Sequence, residues 1–154
     1  MDKTELSILE LLIGQEIAVK RLYEVFAIIL PEDEAFWSKL AKEEQSHADM
    51  LAKLRTSPRT EVWLIDEMQL SRAVIKKSTA YVENKRVLAL RENFNSKQAF
   101  SLAENVEKFL IDGLFIKLEQ KPFASIPQVM NTLTEETKKH LQLILEKQKE
   151  LFSK

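Results

Sequence analysis

Leu6, Leu9, Ile13, Glu16, Tyr23 and Phe26 follow one another at steps of three, four or seven residues. That period lines side chains along one face of a helix, and it predicts a first helix from about Thr4 to Ile29. Pro31-Glu32-Asp33 breaks the pattern. Asp33 is placed to cap a second helix with Phe36, Trp37, Leu40, Glu44, His47, Leu51 and Leu54 on its inner side. The short link between the two predicts an antiparallel pair. After a turn at Ser57-Pro58-Arg59-Thr60, Met68, Ile75, Val82 and Ala89 recur every seven residues, with Val74, Tyr81 and Leu88 on the adjoining stripe. A long helical segment over 65–92 is expected there.

Asn93-Phe94-Asn95-Ser96 interrupts this segment. Ser96 is a suitable cap for a helix bearing Phe100, Ala103, Glu107, Leu110, Leu114 and Leu118, closed by Lys121-Pro122. Ser125 and Gln128 then fit a capping box, with Pro127 tolerated in the first turn, ahead of a last helix carrying Val129, Leu133, His140, Ile144 and Leu151. The order is hairpin, long connection, hairpin. At ~1.5 Å per residue the connection reaches on the order of 40 Å, enough to return the chain along a bundle. The pattern thus predicts one all-α domain over 1–154, a four-helix bundle of two helical hairpins joined by a long helical crossover.

Composition agrees with long helices. The chain has 154 residues, of which 45% are hydrophobic and 31% charged, with two glycines and four prolines. Few turn formers and abundant helix formers argue against a strand-rich fold. Twenty-three basic residues against 24 acidic ones leave a net charge of -1, which draws the chain toward neither nucleic acid nor an anionic membrane. The absence of cysteine excludes disulfides, thiol catalysis and thiolate-bound metal clusters within the chain. Met1-Asp2-Lys3-Thr4-Glu5 does not read as a secretory signal, and no run approaches 18 apolar residues, so a cytoplasmic location without a membrane span is expected.

The two histidines carry the most information. Each lies on the inward stripe of the second helix of a hairpin, shortly after a pair of glutamates: Glu43-Glu44 before His47, and Glu135-Glu136 before His140. Glu44 and His47 are three apart and share a helix face. The first helix of each hairpin carries an inward glutamate, Glu16 and Glu107. Glu104 competes with Glu107, which is favoured because Ala103 and Leu114 bracket it. Glu16 and His47 are separated by 31 residues, Glu107 and His140 by 33, so the hairpins look like two copies of one unit. Facing copies would bring acids and imidazoles to one buried point, where ions are costly unless paired or bound to a cation. Carboxylate and imidazole donors without thiolate suit iron, manganese or zinc.

These residues resemble the ferritin-like di-iron carboxylate proteins, and among them the rubrerythrin branch. In that family one glutamate comes from each of two helices and a Glu-x-x-His pair from each of the other two. The resemblance implies that Glu16 and Glu107 are the outer ligands, that Glu44 and His47 form one pair, and that His140 is the second histidine. The second pair departs from the family, because Thr137 stands where a glutamate is required. Glu136 is the candidate replacement, provided that a one-residue π-bulge turns it inward. The resemblance further implies one or two iron ions, with manganese or zinc as alternatives, and redox chemistry with peroxide or dioxygen. With no rubredoxin-like segment, electrons would come from an external donor protein or a small reductant, and pairing into a homodimer is expected. The competing reading is a non-catalytic bundle with a degenerate site that acts in assembly or partner binding; iron handling in a larger oligomer is a third. Glu43 and Glu135 are expected in solvent, and Tyr23, Trp37 and Trp63 in packing.

Overall fold

The first helix begins where Ser7 accepts a hydrogen bond from the Glu10 N–H at 3.1 Å, one of the backbone donors that a helix start leaves without a partner. A computed structural model describes residues 7–54, 72–115 and 128–152. Among these there are five α-helices and no strand. Helix α1 spans Ile8–Ile29, and a 3-10 turn at Pro31–Asp33 leads into α2, Glu34–Lys53. Helix α3 is Arg72–Glu92, α4 is Ser96–Leu110 followed by a π-helical turn at Ile111–Phe115, and α5 is Gln128–Phe152. No described helix is long and apolar enough to cross a membrane.

Several boundaries differ from the expected ones. Thr4, the turn at Ser57–Thr60, Met68, Trp63, Leu118, Lys121-Pro122 and Ser125 lie outside the described residues. Asp33 occupies the N-cap position of α2 but makes no side-chain cap there; it accepts instead from the Ser96 hydroxyl at 3.4 Å, tying the start of α2 to the start of α4. The cap of α4 is Asn95, not Ser96. Asn95 Oδ1 accepts from the Gln98 N–H and Gln98 Oε1 accepts from the Asn95 N–H, both at 2.9 Å, and this reciprocal box outweighs what the neighbouring serine could offer. Helix α3 ends at Asn93, whose φ of 51° is the left-handed conformation that asparagine tolerates, and the Phe94 N–H closes the end on the Ala89 carbonyl.

Helix α1 packs against both α2 and α3, α4 against α5, and α2 against α5. Two neighbours explain why α1 is buried on a broad front from Ile8 to Ala27. Helix α3 is covered on one side only: Ile75, Val82 and Ala89 are buried, as the seven-residue spacing predicts, while Tyr81, Val87 and Leu90 face solvent. The packed centre is aromatic. Trp37 of α2 lies 4.9 Å from Phe26 of α1 and 4.7 Å from Phe100 of α4 between ring centroids, and Tyr23 is 5.5 Å away. All four rings are fully buried. Each ring of this size buries about 150–250 Å². They lock α1, α2 and α4 together next to the polar cluster described below.

Candidate metal centre

Regular helical spacing delivers each polar group to the interior. On α1, Glu16 lies two turns before Tyr23; on α2, Glu44 and His47 are one turn apart; Glu107 comes from α4 and His140 from α5. All six side chains are buried. The five acids and imidazoles expected from the inward stripes therefore meet at one place, contributed by four helices.

Glu44 stands at the middle. Its Oε1 is 2.9 Å from His140 Nδ1, and its Oε2 is 3.5 Å from His47 Nδ1. His47 Nδ1 is also 3.7 Å from Glu16 Oε2, and His140 Nδ1 is 3.6 Å from Glu107 Oε1. The cluster consequently has two halves that share Glu44: Glu16, Glu44 and His47 in one, and Glu44, Glu107 and His140 in the other. In each half the donor atoms all lie within 4.8 Å of one another. The imidazole rings stack at 5.2 Å, tilted by 24°. Tyr23 donates its hydroxyl proton to Glu107 Oε1 at 2.7 Å.

Separations of 3.5 to 3.7 Å are too long for hydrogen bonds, and Glu16 Oε2, Glu44 Oε2, His47 Nδ1 and Glu107 Oε2 have no hydrogen-bond partner although they are buried. Buried polar atoms are ordinarily satisfied, so four unpartnered atoms within one cluster call for an explanation. A cation supplies one. Two donors bound to the same ion at about 2.1 Å stand roughly 3.0–3.4 Å apart at octahedral or tetrahedral angles, close to the observed separations. The donor set of oxygen and imidazole nitrogen fits iron, manganese or zinc. These buried groups could hold a metal ion.

Electrostatics show the same tension. Burial raises Glu16 well above the usual carboxyl range, and the neighbouring Glu44 charge adds to this. Burial also raises Glu107, partly opposed by the facing His140 imidazole 3.6 Å away. For Glu44 burial acts upward too, but contacts with Glu16, His140 and His47 outweigh it and hold this carboxylate below its ordinary value. Burial would lower both histidines, yet Glu16 and Glu44 lift His47 to about 10, and Glu107 and Glu44 lift His140 to about 11. Tyr23 is raised by burial and by the facing Glu107 and Glu44. Without a cation, the neighbouring acids favour the protonated form of both imidazoles.

No family model, curated protein or solved structure matches this chain. The chemistry of the centre therefore stands on these side chains.

Glu136 does not join them. Helix α5 continues through Gln128–Phe152 without a bulge, and Glu136 sits partly exposed with its carboxylate 3.8 Å from Lys139 Nζ. A regular helix keeps residue 136 about 100° away from the inward position 137. Thr137 occupies that inward position and donates its hydroxyl to the Leu133 carbonyl at 2.7 Å. The π-helical turn lies elsewhere, at Ile111–Phe115, one turn beyond Glu107. Glu104 pairs with Lys108 at 2.6 Å, leaving Glu107 as the inward acid of α4, and Glu135 is exposed as expected.

Glu43 was expected in solvent and is instead half-buried against the cluster. Its Oε1 lies 2.7 Å from His140 Nε2. The available signal was its position four residues before His47, which places it on the flank of the inward face.

Proposed function

We propose that this chain is a ferritin-like metal-binding protein with a rubrerythrin-type centre, holding one or two iron or manganese ions between α1, α2, α4 and α5. The observation that carries this reading is the pair of buried three-residue groups that share Glu44, with unpartnered atoms on Glu16, Glu44, His47 and Glu107. Glu16, Glu44 and His47 would hold one ion, and Glu44, Glu107 and His140 the other. Bound iron or manganese would supply redox chemistry with peroxide or dioxygen. The residues of the chain have their own tasks. Glu107 Oε1 accepts the Tyr23 hydroxyl proton across a 2.7 Å oxygen–oxygen contact at the edge of the centre, and Tyr23 in turn packs 5.5 Å from the buried Trp37 ring. These 154 residues contain no cysteine for a thiolate electron carrier, so electrons would reach the centre from a donor outside them, a protein or a small reductant. A cytoplasmic location and pairing of two copies belong to the same reading.

The test is the metal content of protein purified without chelator, beside the double variant Glu44→Ala/His47→Ala, with circular dichroism to verify folding. One or two equivalents of iron or manganese, lost in the folded variant, are expected. A specific observation favours a second reading, in which the cluster is a metal-free polar network in a bundle that serves assembly. His140 has a carboxylate at both ring nitrogens, and Thr137 is turned away onto its own helix. No uptake even after anaerobic loading with ferrous iron would select that reading.

A further inference from the structure

The halves of the cluster are chemically similar but unequally prepared. His140 is held at both nitrogens: Nε2 lies 2.7 Å from Glu43 Oε1, and Nδ1 faces Glu44 Oε1 at 2.9 Å. In the metal-free chain both ring nitrogens donate, Nε2–H to Glu43 and Nδ1–H to Glu44; a cation that displaces the Nδ1 proton would meet a ring whose orientation the Nε2–H···Glu43 bond already fixes, as an outer carboxylate does for a ligating imidazole. Among the described residues His47 has no equivalent outer carboxylate. Its Nδ1 has no hydrogen-bond partner, and among the described residues Glu16 and Glu44 are the only acids paired with it. The outer acids differ in one oxygen: both leave Oε2 without a hydrogen bond, but Glu107 Oε1 accepts from the Tyr23 hydroxyl at 2.7 Å, and among the described residues no side chain donates to Glu16 in this way.

We infer that the half built on Glu44, Glu107 and His140 takes up the first divalent cation, and that Glu43 is the positioning residue that establishes this order. The inference rests on the metal-binding reading above. Side chains already held in place lose less freedom when they bind, so the prepared half has the higher affinity. Glu43 also brings a further negative charge beside that half, while touching the ion at no point. Its side chain is one-third exposed, so its replacement leaves the core packing intact.

The experiment is a titration of the metal-free full chain with manganese(II), followed by electron paramagnetic resonance, which separates free from bound ion and isolated from paired ions. Removal of an outer-shell partner typically weakens a metal site about 10–100-fold, so Glu43→Ala is expected to weaken the first step by that factor and to leave the second in place. Glu43→Asp should restore part of the loss, which a merely structural role would not produce. Glu16→Gln should act on the second step. Should only one ion bind, Glu43→Ala should weaken it and Glu16→Gln should spare it. A first step indifferent to Glu43, or one removed by Glu16→Gln, overturns this assignment while metal binding stands. A wild-type chain that takes up neither manganese(II) nor, under anaerobic loading, ferrous iron overturns this assignment and the metal-binding reading together.

Discussion

Replacing Glu16 by glutamine is expected to stabilise the metal-free protein while weakening its hold on metal. Glu16 is buried beside Glu44, its Oε2 lacks a hydrogen-bond partner, and burial lifts its pKa well above 4.5. A buried polar group left unsatisfied costs about 1–3 kcal/mol. An amide at this position removes the like-charge contact and provides a donor toward Glu44, whose Oε2 is also unpartnered. Some attraction to His47, 3.7 Å away, is lost in exchange. The expected net gain is about 1–3 kcal/mol. For a chain of this length that raises the melting temperature by on the order of 2 to 12 °C. Because the folded pKa of Glu16 is raised, its cost is absent below pH 4.5, builds as the pH rises above that value, and is complete once the folded pKa is passed. The advantage of the variant should follow the same course. Thermal unfolding by circular dichroism in chelator, then with manganese(II), reads both effects. A ligand at about 100 times its dissociation constant adds about 2.7 kcal/mol, and the wild type should gain more of this than the variant. A variant that melts below the wild type in chelator at neutral pH would refute the reasoning.

Tyr23→Phe removes a buried hydrogen bond to the Glu107 carboxylate and should lower stability by about 1.5–3 kcal/mol in urea unfolding; an unchanged midpoint would refute it. Metal uptake should release protons and tighten with rising pH, because His47 and His140, raised to about 10 and about 11, must be deprotonated to bind an ion. Calorimetry in buffers of different ionisation heat measures this release. The same raised values give the metal-free protein a stabilisation that is complete below pH 6.5 and lost as the pH climbs through about 10, which unfolding measured from pH 7 to 11 should show. Thr137→Glu should raise affinity for a second ion and destabilise the metal-free chain, since it buries another carboxylate, whereas Glu136→Ala should alter metal content not at all and stability by no more than about 0.5 kcal/mol.

The parts of this protein that were legible in its residues are those governed by helical period. Ile75, Val82 and Ala89 are buried at their seven-residue spacing, and Glu16, Glu44, His47, Glu107 and His140 meet because each lies on an apolar stripe. The parts that were not legible turn on choices between adjacent residues. Asn95 and Ser96 are both good caps, and only the reciprocal bond with Gln98 decides between them. Glu43 and Glu44 are neighbours on α2, and which of them touches His140 depends on how α5 crosses α2; in the event both do. Glu136 required a break in α5 that nothing in its sequence enforces. The π-helical turn formed near Gly113 instead, where an added Cβ would come within 3.3 Å of the Phe109 ring.

Glu44 serves both halves of the cluster, one oxygen for each, and this concentrates the vulnerability of the centre in one codon. Loss of Glu16 or of Glu107 leaves three acids and imidazoles of the opposite half untouched, so a descendant could pass through a single-ion form and recover. Loss of Glu44 strips both halves in one step. Among random substitutions scored for metal retention, tolerance should therefore be graded at positions 16 and 107 and all but absent at position 44, a profile that a cluster serving only to hold the helices together would not produce.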